Sequence, residues 1–147
     1  MDRSGGASVR VLAVRAGARL LAVPISSLAE IMRPLAMTAL TGVPAFILGA
    51  SIIRGCLAPV VDMAALLGAA DPAPGRLVAL RLGSRRVALA VHSVLGVRTL
   101  DVETLQPLFA QAVAGAVEGL GRLDSELVHV LGATRIVPEA VWPAVES

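Results

Sequence analysis

Two residues in this chain carry charge inside apolar surroundings, and their types suit one another. Glu30 sits in Leu28-Ala29-Glu30-Ile31-Met32, and Arg54 in Ile52-Ile53-Arg54-Gly55. Neither type is commonly held in such a neighbourhood without a partner. A carboxylate and a guanidinium fork can pair bidentately. An internal salt bridge, an arginine at a strand end reaching solvent, and a charge presented to another molecule are all compatible with this pattern. Other chemistry finds less support. Cys56 follows Gly55 in an apolar run, and no His or Asn pattern marks it as an activated nucleophile. Asp101 with Glu103, and Asp124 with Glu126, lie at alternate positions beside expected turns and read as solvated carboxylates rather than a general acid–base pair. His92 and His129 fall in expected strands, and no carboxylate or cysteine stands at ligand spacing from either. The glycines of 115–121 match no phosphate-binding loop. No catalytic residue, metal site or cofactor is therefore expected.

Composition narrows the class further. Thirteen basic residues face 11 acidic ones, for a net charge of +2. All the basic residues are arginines, scattered along the chain, with Arg85-Arg86 the only adjacent pair. Nucleic-acid binding wants a basic face or stacking aromatics. The aromatics here are Phe46, Phe109 and Trp142, so nucleic acid is not an expected partner. Mean hydropathy is +0.78, which supplies ample core material and raises the question of a membrane span. The longest uncharged run, 34–53, holds Pro34, Gly42, Pro44 and Gly49, which break a continuous helix. Arg10 and Arg15 flank the early apolar run 11–14, leaving no secretory core segment. A single cysteine forms no internal disulfide. A cytoplasmic protein without membrane insertion is expected.

These residues need elements to position them, and the elements read as short strands. Runs 9–14 and 19–23 form a hairpin pattern, ended by Pro24. Ser26 or Ser27 can cap a short helical turn, and Ser27 with Glu30 has capping-box spacing. Residues 33–48 are irregular, with room for one strand near 37–40. Runs 51–54 and 57–61 form the next pair, with Arg54 and Gly55 between them. Asp62 is placed to cap a helical turn over 63–67. After the break at 71–75 the theme repeats: 76–82 and 85–91 flank Gly83-Ser84, a strong hairpin signal. Strands follow at 94–100, 112–120 and 127–131, and a terminal helix at 138–145 with Pro138 at its first position. The reading is all-β: ten short strands in two five-stranded barrels, about 9–70 and about 76–135, packed over a shared core within one domain of residues 1–147.

The order and spacing of these features resemble the CheW family, adaptors of bacterial chemosensory arrays. Leu28-Ala29-Glu30-Ile31 resembles the family's V-x-E-I element. Residues 41–49 resemble L-P-x-x-P-x-x-x-x-G, with Gly42 where Pro is usual. Gly49, Arg54-Gly55 and Pro59-Val60-Val61-Asp62 resemble G-x-x-N-x-R-G-x-x-x-P-V-x-D, with Ile52 in place of Asn. Residues 76–97 resemble the family's second-half run, with His92 where Asp is common, and Leu131-Gly132-Ala133 replaces a Leu-Asp ending. The resemblance implies two five-stranded SH3-like barrels and a non-catalytic role. It implies coupling of the cytoplasmic tip of methyl-accepting receptors to the regulatory domain of a CheA-type histidine kinase. On this reading Glu30 and Arg54 lie near the receptor-binding face, with Ile25, Ile31 and Ile53 as apolar neighbours. Gly49, Gly55, Pro59 and Asp62 are then structural parts of the motif. Two alternatives stay open: a divergent module of the same fold serving another signalling complex, and a small enzyme built on Glu30, Arg54 and Asp62.

Overall fold

In a computed structural model, residues 8–69, 74–101 and 117–146 are described. They form ten strands: β1 (Ser8–Ala16), β2 (Arg19–Pro24), β3 (Leu28–Met32), β4 (Ile47–Ile53), β5 (Cys56–Asp62), β6 (Arg76–Leu82), β7 (Arg85–Val91), β8 (Ser93–Asp101), β9 (Val117–Leu123) and β10 (Glu126–Leu131). Two short helices, α1 (Met63–Leu66) and α2 (Trp142–Glu146), accompany them. The expected strand over 112–120 is described only from Val117 onward; its first residues lie outside the described set.

The strands make two five-stranded sheets, ordered β8-β1-β2-β10-β9 and β3-β6-β7-β5-β4. Neither sheet follows the expected halves 9–70 and 76–135. The first combines the β1–β2 hairpin with β8, β9 and β10; the second combines the β6–β7 hairpin with β3, β4 and β5. The repeat is nevertheless real. Residues 10–31 align without a gap on 76–97, with Arg10/Arg76, Ala13/Ala79, Arg15/Arg81, Gly17/Gly83, Arg19/Arg85, Ala22/Ala88 and Ser27/Ser93 identical. Pairing follows the same rule in both copies. Ala13 and Ala22 are cross-strand partners in one hairpin, and Ala79 and Ala88 in the other. Val130 lies parallel to Ala22, as Val60 does to Ala88. Each half thus lends its first hairpin to one sheet and its last three strands to the other. The expected boundaries marked the repeat, not the sheets.

Alternation along the strands sorts the apolar residues into three cores. One lies between the sheets and holds Leu12, Val14, Leu21 and Val23 with Val61, Val78, Leu80 and Leu89, closed by Met63, Trp142 and Val145. A second fills the inside of the first sheet, with Val11, Ala13, Leu20, Ala22, Leu100, Val128 and Val130. A third fills the inside of the second sheet with smaller groups: Ala58, Ala79, Ala88 and Ala90 beside Ile53, Val60 and Leu77. The edge strands β8 and β9 approach within 8 Å at Cα, so the first sheet curls back on itself as a barrel.

Several local expectations are corrected. Ile25–Ser27 is a 3₁₀ turn without a side-chain cap, and Glu30 lies on β3, so Ser27 and Glu30 form no capping box. No strand forms at 37–40; only Thr38 pairs, exchanging two 2.8 Å hydrogen bonds with Ala50. That approach requires Gly49, because a Cβ there would stand 2.6 Å from the Thr38 carbonyl oxygen. β4 begins at Ile47 rather than at 51, because its ladder with β5 runs back from Ile53 opposite Cys56 to Ile47 opposite Val61. At the end of the chain, Pro138 has extended backbone and precedes a 3₁₀ turn, Glu139–Val141; α2 starts only at Trp142. Arg85 fastens this segment, donating to Glu146 at 2.9 Å and lying 4.6 Å over the Trp142 ring. Asp62 does cap α1, accepting from the Ala65 amide at 3.2 Å.

Candidate functional site

Register decides which side chains meet at the end of the second barrel. Glu30 pairs across β3–β6 with Ala79, whose side chain belongs to the alanine-rich inner core. Arg81 follows Ala79 on the same face, and its direct cross-strand partner is Arg86. Arg54 sits at the tip of the β4–β5 turn, held with φ of 53°, an unusual conformation for a residue with a Cβ; Gly55 follows at 77°. These four residues and Ala29 ring a cleft of about 200 Å³ at the mouth of the barrel.

Within it, Arg54 Nε donates to Glu30 at 2.8 Å, and Nη2 donates at 3.4 Å to the other carboxylate oxygen. The pair ties the edge strand β3 to the β4–β5 turn. The hydrogen bonds from Arg54 hold the Glu30 carboxyl below the ordinary carboxylate range, partial desolvation opposes this, and the charges of Arg54 and Arg86 add to the lowering. Arg54 remains 69% exposed, so this pair is not a sealed internal bridge.

The apolar neighbours are arranged differently from expectation. Ile31 is exposed and Ile25 is half-buried. Ile53 is only 2% exposed and packs in the inner core of the second barrel, so it is no surface neighbour of Arg54; strand alternation turns Ile52 outward instead, 69% exposed. Ile52 stands opposite Leu57 in the β4–β5 ladder. Together with Leu35, Ala36, Met37, Thr38, Ala50 and Ser51 they line an open cavity of about 410 Å³ beside the charged mouth.

The remaining candidates lie elsewhere. Asp62 is at the far end of β5 and is occupied by capping, so Glu30, Arg54 and Asp62 do not converge as a small enzyme would require. Cys56 is exposed rather than buried. Asp124 is in the β9–β10 turn with φ of 50°, and Glu126 grips Arg15 with contacts of 2.5 and 2.8 Å. Glu103 lies outside the described residues. His92 is exposed between β7 and β8; His129 is buried, with Arg19 Nη1 3.1 Å from its Nε2. Among the described residues, no three His, Cys, Asp or Glu side chains gather where they could hold a metal ion, and no helix is long and apolar enough to cross a membrane.

The family profile for the CheW-like domain matches residues 10–141. The chain belongs to the CheW family. It is 34% identical over 100 residues to a probable chemotaxis protein CheW of Rhizobium etli, a match covering 66% of this chain and 64% of that relative. It is 28% identical over 140 residues to protein FrzA of Myxococcus xanthus, covering 89% and 86% of the two chains. The crystal structure of the scaffolding protein TtCheW from Thermoanaerobacter tengcongensis superposes with a TM-score of 0.74 at 20% identity, over 86% of this chain and 90% of that one. The fold is therefore that of CheW, two five-stranded sheets with few helices.

Set on this fold, the motif of the CheW family has a physical reading. Gly49 admits Thr38, Gly55 completes a turn with positive φ, Pro59 is buried opposite Ala50, and Asp62 caps α1. Arg54 is its exposed charged side chain, held by the half-buried Glu30 of β3. Arg81 and Arg86 were not singled out from the sequence, although the repeat of 10–31 in 76–97 would have placed both beside Ala79 and Ala88. Ile52, noted as a departure from the motif, is among the most exposed apolar side chains.

Proposed function

We propose that this protein is a non-catalytic adaptor of chemosensory signalling. It couples the cytoplasmic tip of methyl-accepting receptors to the regulatory domain of a CheA-type histidine kinase, at the cytoplasmic face of the membrane. The observation that carries this reading is the exposed Glu30–Arg54 pair next to an open apolar surface of Ile52, Leu57, Leu35 and Met37. Protein interfaces favour such a mixture of arginine and apolar groups. An enzyme would need converging polar groups in an enclosed site, and the three residues considered for one stand apart. Membership of the CheW family supports the same reading.

The test is co-sedimentation with receptor tips and kinase from the same organism. Arg54→Ala should weaken receptor coupling while the protein stays folded. Equal co-sedimentation of variant and wild type would count against the proposal, and wholesale unfolding would assign Arg54 a structural role only. Ile52, standing where the family usually has Asn, favours a second reading in which the same surface serves another signalling complex. A pull-down against all the organism's histidine kinases and receptor tails separates the two by which kinase is retained.

A further inference from the structure

We infer that the mouth of the second barrel is a receptor for a carboxylate side chain of a protein partner, gripped by Arg81 and Arg86 beside the Glu30–Arg54 pair. The inference rests on the partner-face reading of that pair. The charges in the cleft are unbalanced. Three guanidiniums and one carboxylate line a cleft of about 200 Å³. Glu30 is committed to Arg54 through both oxygens. Among the described residues, Arg81 and Arg86 have no ion-pair or hydrogen-bond partner, although register sets them directly opposite one another. Like charges so placed destabilise a sheet. The arrangement becomes favourable when an anion sits between them, and paired guanidiniums recognise planar, bidentate acceptors.

The equivalent mouth of the first barrel shows what a self-sufficient version looks like. There Arg15 takes the place of Arg81, its cross-strand partner is buried Leu20 rather than an arginine, and Glu126 on β10 neutralises it. In the second barrel Cys56 stands where Glu126 does in the repeat, so among the described residues no carboxylate on that strand is placed to do the same. The missing acidic group is what a partner would supply. A monoanionic carboxylate fits better than a phosphate, because Glu30 already places one negative charge in the cleft and repels a dianion more strongly. The adjoining apolar cavity at Ile52 and Leu57 points to a protein segment, with an acidic side chain flanked by apolar ones, rather than to a free metabolite.

The experiment measures binding of the full chain to receptor tip and to kinase regulatory domain, with wild type, Arg54→Ala, Arg86→Leu and Arg81→Gln, at low and high salt. Arg86→Leu and Arg81→Gln should each weaken one of the two partners about tenfold at low salt. Both should melt no lower than wild type, and Arg86→Glu should be rescued by a Glu→Arg change in that partner. If Arg54→Ala weakens binding while both other variants bind as wild type, the carboxylate receptor is overturned and the partner face stands. If none of the three weakens either partner, both readings fall. Should Arg86→Leu misfold, Arg81→Gln decides alone. Inorganic phosphate that competes at micromolar concentration would replace the carboxylate by a phosphate and overturn the inference.

Discussion

The two barrel mouths are built from corresponding strands and turned to different ends. In the first, Arg15 is neutralised by Glu126, and Leu20 is buried behind it at 3% exposure. In the second, Arg81 faces Arg86, and Glu30, the one carboxylate among the described residues that line the cleft, is paired with Arg54. Backbone frames match down to irregularities. The β4–β5 ladder skips Leu48 between Ile47 and Gly49, and the β9–β10 ladder skips position 118 between Val117 and Gly119. Both turns that follow hold residues with positive φ, Arg54-Gly55 in one and Asp124-Ser125 in the other. What differs is the set of side chains at the rim. The lesson is that a duplicated fold keeps its ladder and places its chemistry by a few substitutions at one open end.

Exchanging the rims is the strongest way to break this comparison. Leu20→Arg would give the first mouth the facing arginines of the second, but in a site with no room in solvent. We expect it to destabilise the fold by about 3 kcal/mol or more, since an unpaired guanidinium would be buried beside Arg15. Arg86→Leu, the reverse exchange, should leave stability unchanged or raise it. Urea unfolding of the two variants checks both; comparable losses would mean that the mouths are not electrostatically distinct.

Gly49→Ala tests a difference at the sheet edges. The added Cβ would meet the backbone carbonyl of Thr38 at 2.6 Å, so the 33–46 segment must give way or leave β4. A loss of roughly 1–3 kcal/mol is expected, measurable by chemical denaturation. Much of the architecture behind these effects was legible beforehand. Gly83-Ser84 between two apolar runs announced the β6–β7 hairpin, and Asp62 announced its cap. What stayed hidden was partnership. Alternation reports which residues share a face, but not which strand lies alongside, so chain order groups β3 with β1 and β2 whereas it pairs with β6. Which face of β4 is covered is hidden in the same way, so Ile53 reads as a surface neighbour although it is buried; Arg81 and Arg86, in contrast, are set opposite one another by the legible Gly83-Ser84 turn. Glu30 and Arg54 were legible because charge in an apolar run is costly wherever the strands go.

Acid should act on the fold in two separate windows. Burial, and after it the nearby Arg19, lower the pKa of His129 and so disfavour its protonation in the fold, against the opposing effect of a backbone hydrogen bond at Leu20. The unfolded chain therefore binds this proton more readily, at an ordinary histidine value of about 6.5. Stability should fall as pH drops below that value, and the loss continues until the folded-state pKa is passed. His129→Gln should flatten the pH dependence between neutrality and mild acid. Glu30 and Glu126 contribute in a lower window, because their pKa values are lowered by Arg54 and Arg15. Their stabilisation is complete above the unfolded carboxylate value and is lost as pH falls through the folded one. Melting curves across pH distinguish the two windows, and an unchanged slope in His129→Gln would remove the histidine from the account.

The smallest expected effect concerns why an arginine occupies the tip of the β4–β5 turn at all. With φ of 53°, position 54 favours glycine or asparagine over a residue with a larger side chain. Arg54 therefore carries backbone strain, and its exposed pair with Glu30 offsets little of it, because solvent screens such pairs. Arg54→Gly relieves the strain and loses the pair; Arg54→Ala loses the pair and keeps the strain. The glycine variant should melt higher than the alanine variant, and close to wild type. Both should lose receptor coupling equally. That combination would mean the strained arginine is retained for what it touches outside the chain rather than for stability. An alanine variant as stable as the glycine variant would show that the turn relaxes without strain, and the backbone would then say nothing about function.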